Sequence, residues 1–200
     1  LLFVVDTQRA DRLGAYGSPA PASPHFDRLS RASRLHSRAL SQASWTIPSV
    51  TSLFTGDYPA LGARQTGVPS LTIPAGAETL AERLQKAGFV TVAFVANPLL
   101  ESRGGFMRGF DTHATMAAAS ARTIGSLLAG WLDGPPGGRW FAYLHAMEPH
   151  EPYDPAPDIR AFLAEGVAST EELMAATMAH RRARSTPPDR ILLLLAGAYA

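Results

Sequence analysis

Two polar side chains, Asp6 and Thr46, lie next to apolar segments and could act together in catalysis. Asp6 ends the apolar run Leu1–Val5, and a buried strand that ends in a carboxylate places a hard oxygen ligand at the carboxyl edge of a sheet. Thr46 lies just before Pro48, at the expected start of a helix, where a hydroxyl can face a substrate. A metal ion held by the carboxylate could activate that hydroxyl. The pair indicates metal-assisted attack on a phosphate or sulfate ester.

Both side chains also have a structural interpretation. Asp6 could cap a turn, and the nearby Arg9 and Asp11 could pair on the surface. The Thr46 hydroxyl could cap the helix that begins near Pro48. The two interpretations of Thr46 are compatible, because a helix N-terminus also directs free N–H groups at an anion.

A further group of polar side chains follows a predicted strand that ends at Leu144. His145 and His150 lie there among glutamates and prolines, on an expected loop at the sheet edge. Imidazoles in such a place can bind a metal or donate hydrogen bonds to substrate oxygens. The alternative is an ordinary polar loop whose histidines pack on Tyr153.

Composition excludes several classes of protein. The chain has 200 residues, with 18 basic and 17 acidic side chains, so no charge excess indicates nucleic acid or an acidic membrane surface as a partner. The absence of cysteine excludes disulfides, a thiolate zinc site and a cysteine nucleophile. The apolar run Ile191–Leu195 is too short to span a bilayer, which needs about 20 apolar residues. We expect the basic stretch His180–Arg184 to be the solvated end of a helix.

Strands and helices alternate along the chain, which predicts a mostly parallel α/β sheet. The expected strands are Leu1–Val5, Leu35–Leu40, Phe89–Ala96 and Trp140–Leu144. The expected helices begin at Pro24, Pro48, Glu78 and Ala117, and the last three end at Phe54, Ala87 and Leu132. The glycine-rich segment from Gly104 to Asp111 lacks the P-loop lysine, which argues against nucleotide binding. We expect residues 1–200 to be the N-terminal part of a single larger catalytic domain.

Together these motifs resemble the sulfatase-like branch of the alkaline phosphatase superfamily. The resemblance implies a three-layer α/β/α sandwich whose metal site lies at the carboxyl ends of the strands. It further implies an anionic ester substrate, a sulfate, phosphate or phosphonate ester, and a divalent cation such as Ca²⁺, Mn²⁺, Mg²⁺ or Zn²⁺. The segments that carry the resemblance are Val4–Gly17, Ser23–Asp27, Trp45–Ser49, Thr55–Pro59, Gly105–Asp111 and His145–Pro155.

The resemblance also assigns expected roles to four residues. Asp6 falls where the family has its first metal-binding aspartate. Thr46 falls where sulfatases have a cysteine or serine that is oxidised to formylglycine, so it is the expected nucleophile and a second metal ligand. His150 falls near a histidine that contacts the anionic oxygens of the substrate, and we expect His145 to assist it.

Several positions depart from the sulfatase pattern. Formylglycine cannot be made from Thr46, Val50 replaces the arginine that ends the maturation signature, and Thr7 replaces the second aspartate. The family's Lys-x-His segment has no match between Ala93 and Pro98. A threonine nucleophile is similar instead to the phosphoryl-transferring members, such as lipoteichoic acid synthases and phosphoethanolamine transferases.

These departures leave two alternatives to a hydrolase. One is a phosphoryl transferase with a threonine nucleophile, and the other is a catalytically inactive domain that binds anionic glycans or a protein. The family's downstream Asp-His or Asp-Asn pair also has no match after His150. We therefore expect the 200-residue chain by itself to be inactive. An extracytoplasmic or membrane-anchored protein is favoured because related enzymes commonly act outside the cytoplasm.

Overall fold

The fold is built on a parallel β-sheet. The computed structural model describes residues 1–18, 23–58, 72–134 and 137–150. Within that part of the chain, four strands pair in the order β1-β4-β2-β3, and every pairing is parallel. The predicted parallel α/β sheet is thereby confirmed. The strands are β1 (Leu2–Val5), β2 (Val90–Val95), β3 (Thr112–Thr115) and β4 (Trp140–Ala146).

The helices begin and end at residues suited to those positions. Gly56 ends α2 in the left-handed region, with φ of 81°, as its position in the sequence indicates. Thr79 begins α3 with a capping box: its hydroxyl accepts from the Glu82 backbone N–H at 3.1 Å, and the Glu82 carboxylate accepts from the Thr79 N–H at 2.8 Å. The α-helices are α1 (Pro24–Arg31), α2 (Thr46–Thr55), α3 (Leu80–Lys86) and α4 (Ala121–Asp133). Short 3₁₀ helices span Ala10–Arg12, Gly14–Tyr16 and Ser102–Gly104.

Apolar side chains cover both faces of the sheet, which gives the three-layer α/β/α arrangement that the family resemblance implies. The central strands β2 and β4 are buried along nearly their whole length, as strands covered on both faces are. On one face Ile47, Val50 and Phe54 of α2 pack with Phe106, Phe110 and Tyr143. On the other face Ile124 and Leu128 of α4 pack with Val92, Phe94, Ala142 and Leu144.

The chain divides into two compact units. Residues 1–6 and 39–147 form the first unit, which contains the whole described sheet. Residues 7–38 and 148–200 form the second unit, in which Asp27 of α1 accepts hydrogen bonds from the Ala15 N–H at 2.8 Å and the Ser23 hydroxyl at 3.0 Å. Arg9 and Asp11 form the predicted surface ion pair. The expected single catalytic domain over residues 1–200 stays a prediction.

Some predicted elements are wrong or displaced. The predicted strand Leu35–Leu40 is wrong: this segment contains a turn, pairs with no strand in the described ranges and leaves the Leu40 side chain 83% exposed. The helix expected from Ala117 begins only at Ala121, because Ser120 caps it and accepts from the Thr123 N–H at 3.1 Å.

The structure also adds to the predicted elements. The short strand β3 is additional, and β4 continues beyond Leu144 to include His145. No helix of the described residues is long and apolar enough to cross a membrane. The predictions for Tyr153, His180–Arg184 and Ile191–Leu195 lie outside the described residues.

Candidate active site

The carboxyl ends of three strands bring together side chains that are distant in sequence. Asp6 follows β1 directly, and its N–H donates to the Ala146 carbonyl at 3.0 Å, which extends the β1–β4 pairing by one residue. His145 lies near the end of β4, opposite Val4. Asn97 follows β2 by two residues, in a segment where the Ala96 N–H donates to the His145 carbonyl at 2.9 Å. Because parallel strands end at one edge of a sheet, these three polar residues meet there.

Thr46 joins this cluster from the first turn of α2. Its hydroxyl donates to Asp6 Oδ2 at 3.0 Å, and within the described ranges no side-chain hydrogen bond caps the start of the helix. The capping interpretation of Thr46 is therefore not what the structure shows. Three apolar residues of α2, namely Ile47, Val50 and Phe54, are buried in the core and fix the helix against the sheet. This packing holds the Thr46 hydroxyl beside the carboxylate that the sequence pairs it with.

The Asp6 carboxylate is held in its ionised form. Burial raises its pKa, but this is outweighed by hydrogen bonds from His145, Asn97 and Thr46 and by the attraction of the His145 ring, so the pKa lies below its usual value. The Asp6 side chain is only 12% exposed. An ionised carboxylate in this place accepts hydrogen bonds and offers a hard anionic oxygen.

The two histidines that the sequence singles out have different surroundings. His145 is fully buried, with Nε2 3.1 Å from Asp6 Oδ2 and Nδ1 2.7 Å from the Tyr143 hydroxyl. Both of its ring nitrogens thus have partners inside the protein, and contact between His145 and a substrate stays a prediction. His150 is partly buried and belongs to the second unit. Its contact with substrate oxygens also stays a prediction.

Asn97 is a site residue that the sequence interpretation missed. Its amide nitrogen donates to Asp6 Oδ2 at 2.8 Å and lies 3.4 Å from Thr46 Oγ1, while its Oδ1 accepts from the Leu99 N–H at 2.9 Å. That last bond fixes which end of the amide faces the carboxylate. The available signal was a polar residue directly after the apolar run Phe89–Ala96, in the segment where a Lys-x-His match was sought.

The residues present fit one side of a divalent-cation site. Asp6 supplies an ionised oxygen and Thr46 a neutral one, which are the ligand types that Ca²⁺, Mg²⁺ and Mn²⁺ prefer. Hard cations take about six or more oxygen ligands. Among the residues that the structure describes, no three acidic or histidine side chains cluster closely enough to hold a metal by themselves. Asp6 and Thr46 would therefore supply only two of the oxygen ligands that such a cation needs.

A cavity of about 420 Å³ opens beyond Asn97. It includes Pro98, the next residue in the chain, and Thr115, the last residue of β3, so it lies along the edge of the sheet that carries the cluster. Its lining carries one guanidinium and one carboxylate. The residues that line it are Pro98, Glu101, Arg103, His113, Thr115 and Ala117.

Comparison with known proteins gives one family and one fold. The family model described as Sulfatase matches residues 1–175. No curated protein matches the chain. The chain is similar, at 18% identity and a TM-score of 0.70, to the phosphonate monoester hydrolase SpPMH from Silicibacter pomeroyi, with 100% of this chain and 55% of that chain covered.

Two further solved structures share the fold. The C-terminal periplasmic domain of EcEptC from Escherichia coli, in complex with zinc, has 15% identity and a TM-score of 0.63, with 98% of this chain and 57% of that chain covered. A protein bound to its substrate D-glucosamine-2-N,6-O-disulfate has 15% identity and a TM-score of 0.65, with 100% and 52% covered. The chain thus spans about half the length of the structures that it matches, between 52% and 57%.

Proposed function

Because the chain belongs to the sulfatase family, we propose that the protein is a metal-dependent hydrolase of sulfate, phosphate or phosphonate esters, with Thr46 as its nucleophile. One observation carries the proposal: the Thr46 hydroxyl donates to Asp6 Oδ2 and does not cap α2. A threonine with a purely structural role at a helix start would use its oxygen for the free N–H groups of the first turn.

The chemistry assigned to Thr46 is in-line displacement at phosphorus or sulfur. Its Oγ1 gives up its proton and forms a bond to the central atom while the bond to the ester oxygen breaks; that oxygen leaves with the electron pair and takes up a proton, so an alcohol is released. Water then attacks the same atom, the bond to Oγ1 breaks, and one proton of the water returns to Oγ1 while the hydroxyl stays on the released acid. The N-terminus of α2, where Thr46 lies, favours an anion through its free N–H groups and the helix dipole.

Thr46 needs more activation than Asp6 alone supplies. The pKa of Asp6 lies below its usual value, so the carboxylate that accepts the Thr46 hydrogen bond is a weak base. A divalent cation, when bound at Asp6 and Thr46, would lower the pKa of the hydroxyl by several units and offset the charge of the anionic substrate. The cation is Ca²⁺, Mn²⁺, Mg²⁺ or Zn²⁺ in this proposal. His150 is proposed to face the anionic oxygens, and His145, whose ring nitrogens contact Tyr143 and Asp6, to assist through Asp6.

The names of similar structures support both ester classes. One is a phosphonate monoester hydrolase, and another holds a disulfated glucosamine as its substrate. Zinc is present in the complex of the periplasmic EcEptC domain. We therefore propose an anionic ester as the substrate, and an extracytoplasmic location on the weaker ground that one neighbour is a periplasmic domain. Thr46, which cannot become formylglycine, favours a phosphoryl transferase as the second candidate.

The test uses the full-length protein, purified and stripped of metal. Release of nitrophenol is followed from a phosphate monoester, a phosphate diester, a phosphonate monoester and a sulfate ester while Mn²⁺, Ca²⁺, Mg²⁺ or Zn²⁺ is added back. We expect metal-dependent turnover of at least one ester. In Thr46→Ala it should fall by about a thousandfold or more, since removal of the nucleophile from a hydrolase that forms a covalent intermediate costs about that much or more.

A matched control comes from the same helix. The Thr55 hydroxyl bonds the Thr51 carbonyl at 2.9 Å at the other end of α2, so Thr55→Ala removes a hydroxyl without touching Asp6. This variant should keep turnover near the wild-type rate. Retained activity in Thr46→Ala would remove the nucleophile assignment. Turnover that appears only with an added alcohol acceptor would establish the transferase, and inactivity on all esters with and without acceptor would favour the binding domain.

A further inference from the structure

A buried hydrogen-bonded chain leads from the core of the sheet to Asp6. The Tyr143 hydroxyl lies 2.7 Å from His145 Nδ1, and His145 Nε2 lies 3.1 Å from Asp6 Oδ2. Tyr143 and His145 are both inaccessible to solvent, with an exposed fraction of 0%. They are two residues apart on β4, so their side chains lie on the same face of the sheet. The chain is therefore built into one rigid strand.

The contacts of the His145 ring fix its orientation. The ionised Asp6 carboxylate can only accept a hydrogen bond, so His145 Nε2 carries a proton and donates it to Oδ2. Burial raises the pKa of Tyr143, and the nearby Asp6 charge raises it further, so the phenol keeps its proton and remains a hydrogen-bonding partner of Nδ1. Tyr143 thereby holds the His145 ring with Nε2 facing Asp6.

The donors to Asp6 converge on one of its two oxygens. His145 Nε2, Asn97 Nδ2 and the Thr46 hydroxyl lie 3.1, 2.8 and 3.0 Å from Oδ2. Among the residues that the structure describes, none donates to Oδ1. A carboxylate oxygen has about two lone-pair sites, so Oδ2 is saturated while Oδ1 is left to bind another group.

We propose that Tyr143 and His145 are positioning residues that hold the Asp6 carboxylate with Oδ2 facing the protein, so that Asp6 binds a divalent cation through Oδ1 alone. This inference rests on the proposed function, because the cation belongs to that proposal. It adds two residues to the site, one of which the sequence does not single out. Without the Tyr143 hydroxyl, His145 Nδ1 loses its partner, and one hydrogen bond in place of two holds the ring toward Asp6.

The test compares two conservative variants that each remove a buried hydroxyl. Tyr143→Phe keeps the ring that packs edge-on against Phe54, with the ring centroids 4.8 Å apart, and removes only the donor to His145. Thr91→Val is the control: Thr91 lies near the start of β2, toward the other edge of the sheet, and is also fully buried. Its hydroxyl bonds the Gly109 carbonyl and the Asp111 carboxylate and accepts from the Asp111 N–H. In urea unfolding, Thr91→Val should therefore lose at least as much stability as Tyr143→Phe, which makes it a strict control for effects that act through stability alone.

Metal affinity separates a positioning role from a structural one. Calorimetric titration of the metal-free full-length protein with Mn²⁺ should give a Kd that is about 10- to 100-fold weaker in Tyr143→Phe, the usual effect of losing a group that orients a metal ligand. Thr91→Val should keep the wild-type Kd. A wild-type Kd in Tyr143→Phe, or an equal weakening in both variants, would overturn the proposal.

Nitrogen NMR of histidine-labelled protein tests the hydrogen-bonded chain without metal. In the metal-free wild type, His145 Nε2 should carry a proton that is hydrogen-bonded to Asp6, and in Tyr143→Phe the signal of this N–H should shift or be lost because the ring is held less firmly. A wild-type protein that binds no Mn²⁺ but shows this hydrogen-bonded N–H would defeat the proposed function while keeping the hydrogen-bonded chain. A wild-type His145 without a proton on Nε2, or an unchanged N–H signal in Tyr143→Phe, would defeat the positioning role itself, whatever the result with metal.

Discussion

Among the glycines whose surroundings the structure describes, Gly109 is the one where an added methyl group should destabilise the fold most. Its φ of 81° lies in the left-handed region, and a Cβ placed on it would overlap the Glu82 backbone nitrogen and lie 2.6 Å from the Ala81 carbonyl carbon. Neither side of this contact can withdraw easily. The Thr79 hydroxyl bonds the Arg108 carbonyl at 3.1 Å, and the Thr91 hydroxyl bonds the Gly109 carbonyl at 2.6 Å. The glycine is therefore fixed against the first turn of α3.

The cost of Gly109→Ala follows from these two constraints. A non-glycine residue in the left-handed region costs about 1–2 kcal/mol. Overpacking against rigid backbone adds about 1–3 kcal/mol. The smaller entropy of the unfolded chain returns roughly 0.5–1 kcal/mol. The free energy of unfolding should thus fall by about 1–4.5 kcal/mol, which at its upper end is a large share of the 5–15 kcal/mol that holds a typical domain together.

Two other glycines calibrate this estimate. At Gly105, where φ is 78°, a Cβ would meet nothing closer than the Ile73 carbonyl at 3.5 Å, so Gly105→Ala should cost only about 1–2 kcal/mol. Gly125 lies inside α4 with open space around it, so Gly125→Ala should stabilise the protein by about 0.5–1 kcal/mol. Urea unfolding of the full-length protein, followed by tryptophan fluorescence, measures all three variants. Gly109→Ala within about 0.5 kcal/mol of the wild type would refute the reasoning, since both penalties exceed that margin.

Two further predictions concern a carboxylate at the opposite end of the sheet and the amide at the site. Hydrogen bonds from the Thr91 backbone and the Gln85 side chain hold the pKa of Asp111 below its usual value, so its ionised form stabilises the fold above about pH 4 and that stability is lost as the pH falls through the lowered pKa. Asp111→Asn should therefore be less stable than the wild type by roughly 1 kcal/mol at pH 7, after solvent screening. This difference in the free energy of unfolding should disappear in acid. A difference that stays constant from pH 7 to pH 2 would contradict the prediction. Asn97→Ala removes one of the donors to Asp6 Oδ2, so metal-dependent turnover should fall by roughly tenfold or more. An unchanged rate in that variant would exclude Asn97 from the site.

The parts of the fold that depend on local pattern could be predicted from the sequence. The apolar run before Asp6 and the glycine after α2 are local signals, and they place the carboxylate at a strand end and stop the helix where the structure does. The strand β3 could not be found in this way. Thr112–Thr115 has no apolar run and is exposed or half-buried along its length, so it exists because β2 pairs with it.

The candidate site likewise has residues that the sequence predicts and residues that only the fold brings together. Asp6 and Thr46 carry recognisable motifs, and their pairing follows from those motifs. Asn97 is 91 residues from Asp6, and the two meet only because β4 lies between β1 and β2, an order that alternating strands and helices do not specify. The environment of His145 depends on the register that sets it opposite Val4, and on a strand that runs past Leu144. Sequence pattern places a histidine at the sheet edge but does not orient its ring.

The central claim is that Thr46 is the nucleophile, and its covalent intermediate is the most direct test. The full-length protein is mixed with Mn²⁺ and a nitrophenyl phosphate, phosphonate or sulfate ester, quenched in acid within milliseconds, digested and examined by mass spectrometry. The account predicts that the peptide containing Thr46 gains one phosphoryl, phosphonyl or sulfuryl group, that fragmentation places the group on Thr46 and that Thr46→Ala abolishes it. Steady turnover with the group on another residue, or with no modified peptide at any quench time, would contradict it.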